Sequence, residues 1–294
     1  MAGTTTTSLT ESVPSEDING LVIPEPQAPF VWEAICHVVP NAIGHVYRWT
    51  SDDAGSTAAS KAENADFQNT VYAMSKSEAT PATIGDSTDY SDELTVSGTK
   101  VSIPQMLVRI DRRLRKKINA DVLALGPSCT NHSNHAGVAL DTDKFIDALG
   151  LFGAQNPTNP RIAFVASAGQ CSALTKAVVN LGGAAAAGAF GAALVEASRV
   201  QGFVAPFMGA ELYRSDVTID GADAIAMFVS VADFGVMIDG EWQPGSGLGA
   251  AFWWEPRPEA QRQGRGAKWE LTVSARYGVA ITLQDNVRKL TALK

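Results

Sequence analysis

Residues 270–284 read ELTVSARYGVAITLQ. Every odd position from Leu271 to Leu283 is apolar: Leu271, Val273, Ala275, Tyr277, Val279, Ile281 and Leu283. The even positions are polar or small. A period of two held over this length predicts one long strand, or two strands separated at Gly278, with one face buried. Residues 285–290 follow at once, so this part of the chain is expected to be woven into a sheet that closes the core or an intersubunit contact.

Outward from this strand, the strongest helical signal lies at 99–125. Leu107, Ile110, Leu114, Ile118, Val122 and Leu125 recur at three- and four-residue spacing, Pro104 suits a first turn, and Gly126-Pro127 stops the helix. Its length is about 20 residues, or about 30 Å at 1.5 Å per residue. A second, shorter helix is expected at 142–152, begun by Asp141 or Thr142, and a third at 168–181, closed by Gly182-Gly183. Ser91-Asp92-Glu93-Leu94 also has the form of a helix start. RIAFV at 161–165 and residues 224–231 read as buried strands, residues 202–218 as strand pieces, and 240–266 as a Gly/Pro/Trp-rich connection. Helices and strands alternate without a β-α-β unit of constant length, which argues for α+β rather than a doubly wound sheet.

The N-terminal side is different. Residues 1–29 are polar, then rich in proline, and without periodicity, as in an extended arm. Residues 30–39 (FVWEAICHVV) are a short apolar element ended by Pro40. From 41 to 89 the chain is rich in Ser, Thr, Ala and Asp, with strand-like pieces at 45–49 and 70–74. A stretch this long without a core signal suits a two-stranded excursion that needs a partner, because isolated hairpins are marginal in water.

Composition narrows the function. Of the 294 residues, 45% are hydrophobic and only 18% charged, which suits a surface largely covered by other copies. Net charge is −8, but residues 1–100 carry 14 acids against 4 bases, leaving +2 for the rest. A pI near 5.0 argues against a free nucleic-acid reader. Cys36, Cys129 and Cys171 are odd in number and without C-x-x-C spacing, as in a reduced protein without a disulfide framework. The N-terminal stretch lacks the basic and apolar regions of a secretory signal. Ala177–Val195 is long enough to span a bilayer, but it is built of Ala and Gly, which drive insertion weakly; no membrane partner is expected.

The densest charge cluster is Arg109, Arg112, Arg113, Arg115, Lys116 and Lys117. The apolar stripe takes one side of the helix, so these bases take the other. Two readings stand: a solvated helix face, or a surface for a negatively charged partner, whether a neighbour's acidic third, a scaffold protein or packaged DNA. Trp253 and Trp254, with Trp242 and Trp269 nearby, are either an interface cluster or a local core under a loop. Cys129, His132 and His135 put three possible zinc ligands within seven residues, without a second Cys/His cluster to complete the set; the alternative is an exposed polar loop. No G-x-S-x-G and no phosphate-loop G-x-x-x-x-G-K-[ST] occurs, and Gly245-Ser246-Gly247-Leu248-Gly249 lacks a β-α-β setting. No cofactor is implied, and nothing positive supports catalysis.

The closing ARYG-V strand follows a Gly/Pro and basic run at 255–268. Upstream are the helix after RIAFV and the segment GFVAPFMGAELYRSDVT. This order, over residues 30–294, resembles the major capsid proteins of tailed bacteriophages. The resemblance implies an N-terminal arm (1–40), an extended two-stranded loop (41–89), a peripheral domain (90–141 and 234–294) holding a long spine helix and the closing strand, and an axial domain (142–233). It implies a structural, non-enzymatic protein of the virion, assembled in the host cytoplasm. Its partners would be itself in hexamers and pentamers, scaffold, portal and decoration proteins, and packaged double-stranded DNA on the inner face. A bacterial nanocompartment shell of the encapsulin kind has the same fold. The rival from another class is a metal-dependent enzyme using the Cys129/His132/His135 loop.

Overall fold

The computed structural model describes residues 30–52, 74–91, 103–138, 140–155, 161–174, 176–177, 203–207, 209–215, 218–220, 223–231, 236–238, 241–243, 246–263 and 268–293. Two sheets and one long helix organise them. The first sheet has the order β1-β13-β14-β4, from β1 (Cys36–Val39), β13 (Leu248–Gln263), β14 (Lys268–Ile281) and β4 (Ala82–Ser91). β13 and β14 form a long antiparallel pair, β4 runs antiparallel along β14, and β1 runs parallel to the start of β13. The second sheet has the order β5-β15-β10-β6-β8-β7. Its strands are β5 (His132–Val138), β6 (Ile162–Ala166), β7 (Phe203–Phe207), β8 (Ala210–Arg214), β10 (Asp223–Ser230) and β15 (Val287–Leu293), with β9 (Thr218–Asp220) also paired to β10. Two further antiparallel pairs are β2 (Tyr47–Asp52) with β3 (Met74–Ala79), and β11 (Val236–Ile238) with β12 (Glu241–Gln243).

The helices are α1 (Trp32–Ile35), α2 (Ile103–Leu123) and α3 (Thr142–Gln155), with a further helical stretch at 168–174. In α2, the 21-residue helix that the apolar spacing predicts, Ile110, Leu114, Ile118 and Val122 are buried. They share one core with Leu271, Val273, Ala275 and Tyr277 of β14 and with Val165, Met227 and Val229 of the second sheet. At the N-terminus of α3 the Asp141 carboxylate accepts a hydrogen bond from the Lys144 N–H at 2.9 Å, as a cap should. The lead strand is therefore one strand, and Gly278 does not break it. A Cβ there would lie 2.7 Å from the Thr80 carbonyl oxygen, so the residue is glycine because the chain after β3 crosses at that point. Beyond it both faces are covered. Val279 and Ile281 stay against the main core, while Ala280 is buried with Trp49 and Ala79 of the β2–β3 pair.

The second sheet is buried on both faces. Phe164, Ala166, Ala226 and Phe228 meet Phe145 and Phe152 of α3, whereas Ala163, Val165, Met227 and Val229 face the main core. Double burial explains why RIAFV and residues 224–231 read as continuous apolar runs rather than alternating ones.

Three expectations need correction, and one observation bears on the expected boundaries. The connection expected at 240–266 contains the 16-residue strand β13. Pro256 and Pro258 hide it, yet beyond Ala251 β13 pairs only with β14 among the described residues, so a missing N–H on the other edge costs nothing. The polar loop expected at 128–137 contains β5, an edge strand whose ladder is supplied by β15. Ser91 ends β4 rather than starting a helix, and 92–102 lie outside the described residues. The boundaries expected at 141 and 233 cut the second sheet, which takes β5 from one side and β15 from the other. The arm at 1–29, the middle of the 41–89 excursion and most of the small-residue stretch 177–195 also lie outside the described residues. Among those described, no helix is long and apolar enough to cross a membrane.

Candidate assembly surfaces

Burial of the apolar stripe fixes the rotation of α2 about its axis, and so decides where its bases go. The six divide into two sets. Arg113 reaches Asp86 of β4 at 3.4 Å. Arg115 holds Glu33 of α1 at 2.7 Å and Asp111, one turn back, at 3.0 Å. Lys117 pairs with Asp121 at 2.5 Å. These exposed pairs contribute little stability, about 0–1 kcal/mol each, but they neutralise three of the bases. Arg109, Arg112 and Lys116 are exposed and have no acidic partner among the described residues.

A polar tie that the sequence reading did not single out fixes the helix to the rest of the chain. Buried Asn119 accepts the Val31 N–H at 3.1 Å and donates to the Ser215 hydroxyl at 3.3 Å. One side chain thus joins α2 to the segment entering α1 and to the end of β8. Its sequence signal is a lone amide immediately after Ile118, at the edge of the apolar stripe. On the sheet side of α2, Asp121 accepts the Tyr277 hydroxyl, and burial together with that carboxylate pushes the phenol well above its usual range.

Trp253, Trp254 and Trp269 do not form one patch. The Trp253 indole N–H donates to the Gly44 carbonyl at 2.6 Å, and its ring packs beside Trp49 and Ala42. The guanidinium of Arg276 sits 5.5 Å from the ring centroid of Trp254, a cation–π distance. Trp269 stacks on Tyr90 with centroids 6.4 Å apart, and Trp242 lies in β12 opposite Met237. Trp253 and Trp254 remain half-buried, each with its own partner in the chain. Trp253 also steadies the turn that carries Ile43, whose side chain is 90% exposed. A single Ile between Ala42 and Gly44 has no periodicity to announce it.

The Cys129 loop does not gather its ligands. The buried Cys129 thiol donates to the Val287 carbonyl at 3.2 Å and to the Asn131 carbonyl at 3.3 Å. His132 is exposed, with Nδ1 3.3 Å from the Thr130 carbonyl oxygen. His135 is half-buried on β5, and burial, followed by nearby Lys144, lowers its pKa. No three His, Cys, Asp or Glu side chains converge as metal ligands among the described residues. All three cysteines are free and buried, and burial raises each thiol, Cys171 to about 11. A thiol reagent is therefore expected to leave all three unmodified in the folded protein and to label all three in denaturant. Rapid labelling of Cys129 in the folded state would contradict this placement.

No protein-family model matches the chain, and no curated protein matches it by sequence. Solved structures do match. The chain is similar to the head protein of Helicobacter pylori bacteriophage KHP40, with a TM-score of 0.68 and 11% identity, over 99% of this chain and 98% of that one. It is similar to the capsid protein of the native GTA particle, with a TM-score of 0.65 and 14% identity, over 100% and 99%. It is likewise similar to the capsid protein of Myoviridae phage XM1, with a TM-score of 0.62 and 13% identity, over 100% of both chains. Two sheets bridged by a long helix, matched over whole chains despite low identity, give this protein the major capsid protein fold of tailed bacteriophages.

Proposed function

We propose that this chain is a major capsid protein that assembles through hexamers and pentamers into an icosahedral shell enclosing double-stranded DNA. The single observation that carries this reading is the likeness to the KHP40 head protein, which runs over 99% of this chain and 98% of that one. The role is structural rather than enzymatic. Repeated contacts between copies provide the stability, and multivalency makes weak contacts sufficient. The protein belongs to the virion capsid and assembles in the host cytoplasm, with scaffold, portal and decoration proteins as further partners.

In this reading residues 1–40 are the arm and 41–89 the extended loop, of which the β2–β3 pair is a part. The peripheral domain comprises α2 and the first sheet. The axial domain extends beyond 142–233 to take in β5 and β15. The Trp253–Trp254 segment and the Ile43 turn are the contact surfaces between copies, and the exposed bases of α2 face a negatively charged partner. The similar structures named above are phage heads and a GTA particle, which favours a nucleic-acid container over an enzyme-loaded nanocompartment. The dispersal of Cys129, His132 and His135 leaves the metal-enzyme alternative without a site among the described residues.

Sedimentation and negative-stain imaging of the purified protein test the reading. Closed shells, or rings of five and six subunits, are expected, and particles from infected or expressing cells should protect double-stranded DNA from nuclease. A monomer or dimer at all salt and protein concentrations would refute it.

A further inference from the structure

The bases of α2 that have no acidic partner are not scattered. Arg109, Arg112 and Lys116 stand at intervals of three and four residues, which at 100° per residue places them within about 60° of one another on the helix surface. The buried residues Ile110, Leu114, Ile118 and Val122 occupy the opposite side. The stripe is about 10 Å long at 1.5 Å per residue. Among the described residues, the acids that reach α2 are already committed: Asp86 to Arg113, Asp111 and Glu33 to Arg115, and Asp121 to Lys117 and Tyr277. Three positive charges are left pointing outward from a rigid element in a chain whose net charge is −8.

We propose that Arg109, Arg112 and Lys116 form a phosphate-contacting stripe that holds the backbone of double-stranded DNA without reading its sequence; this rests on the shell reading above. Two arginines and a lysine supply charge-assisted donors for phosphate oxygens. Charge density favours a duplex over an acidic segment of a neighbouring copy. Duplex DNA carries one charge per roughly 1.7 Å, so about six phosphates lie along the length of the stripe. Stretches free of Lys and Arg offer far less: residues 77–99 carry five acids in 23 residues, and residues 215–256 carry seven in 42.

The test uses unassembled capsomers of the full chain and a short random-sequence DNA duplex, titrated across salt. The variant Arg109→Gln/Arg112→Gln/Lys116→Gln is compared with Lys76→Gln/Arg257→Gln/Arg262→Gln, which removes the same charge from exposed strand positions. Three lost phosphate contacts should make the slope of log K against log salt shallower by about 2.7. Native protein should then lose roughly 40-fold more affinity than the stripe variant between about 50 and about 200 mM salt. The control variant should keep the native slope. Equal slopes in all three proteins would overturn the proposal, as would undetectable DNA binding by native capsomers at low salt. So would a stripe variant that binds DNA normally but fails to form shells, which would assign the stripe to a subunit contact. If native protein forms no shells or rings at all, the shell reading itself fails, a result separate from these.

Discussion

Replacing Gly247 with alanine is expected to destabilise the folded subunit by about 3 kcal/mol or more, since no side chain fits where this residue sits. Gly247 donates its N–H to the Ser230 carbonyl at 3.0 Å and accepts the Thr282 N–H at 3.0 Å. It thereby joins the end of β10 to the end of β14, just before β13 begins. A Cβ there would lie 2.5 Å from Cγ2 of Val287 and 2.8 Å from the carbonyl carbon of Asn286, and closer still to the Asn286 oxygen. Two of these atoms are backbone and cannot rotate away. Relief would require the turn before β15 to move, and Val287 and Leu290, both fully buried, would move with it. The urea midpoint of unassembled subunits measures the loss. Gly153→Ala in α3 is the control: a Cβ there meets nothing within 4 Å, so helix propensity should make it neutral or stabilising by up to about 1 kcal/mol. Similar midpoints for the two variants would show that the crossing at Gly247 is not a tight one.

Phe228→Ala is expected to cost about 3–5 kcal/mol in the same measurement. Phe228 is fully buried near the middle of β10, with ring centroids of Phe164, Phe145 and Phe152 at 4.6, 5.2 and 5.9 Å. Truncation removes one of the rings that join α3 to the second sheet, and the cavity opens against rings borne on two different elements. Such a site collapses poorly, because β6 is held beside β10 by their ladder and α3 would have to shift as a whole to fill the space. Phe228→Leu should retain most of the stability. A loss under about 1 kcal/mol on truncation to alanine would mean that the cluster repacks, contrary to the density expected of such an interior.

Much of this architecture was legible in one sequence, for identifiable reasons. The parity of Leu271, Val273, Ala275 and Tyr277 could be read because one face of β14 meets only α2 and its neighbours. The spacing from Ile110 to Val122 could be read because α2 buries a single stripe. β13 escaped notice because its prolines lie where β14 alone flanks it, so a strand composed partly of breakers is tolerated. β5 escaped because an edge strand carrying His132, Ser133, Asn134 and His135 draws its order from β15, more than 140 residues away, and not from its own side chains. The basic run was visible at once, but its division was not. Asp86 lies 27 residues from Arg113 and Glu33 lies 82 from Arg115, so only the folded chain shows which charges are spent. The Cys129 cluster was misleading for the converse reason. Proximity in sequence placed three ligand types together, and the pleat and the inward turn of the thiol separated them.

The parallel pairing of β1 with β13 joins residues 36–39 to residues 248–251, and β15 reaches back to β5 at residues 132–138. At synthesis rates of about 5–20 residues per second, these 294 residues take roughly 15–60 s to make. Until residues 248–293 are made neither sheet can close, since each takes strands from that stretch. Folding is correspondingly non-local and slow, and a chain made only as far as β10 leaves Phe145, Phe164 and Phe228 without Leu290 of β15 to complete their cluster. The same delay has a second consequence. A chain that lacks residues 248–293 has completed neither sheet, so its surface is not yet that of the folded protein.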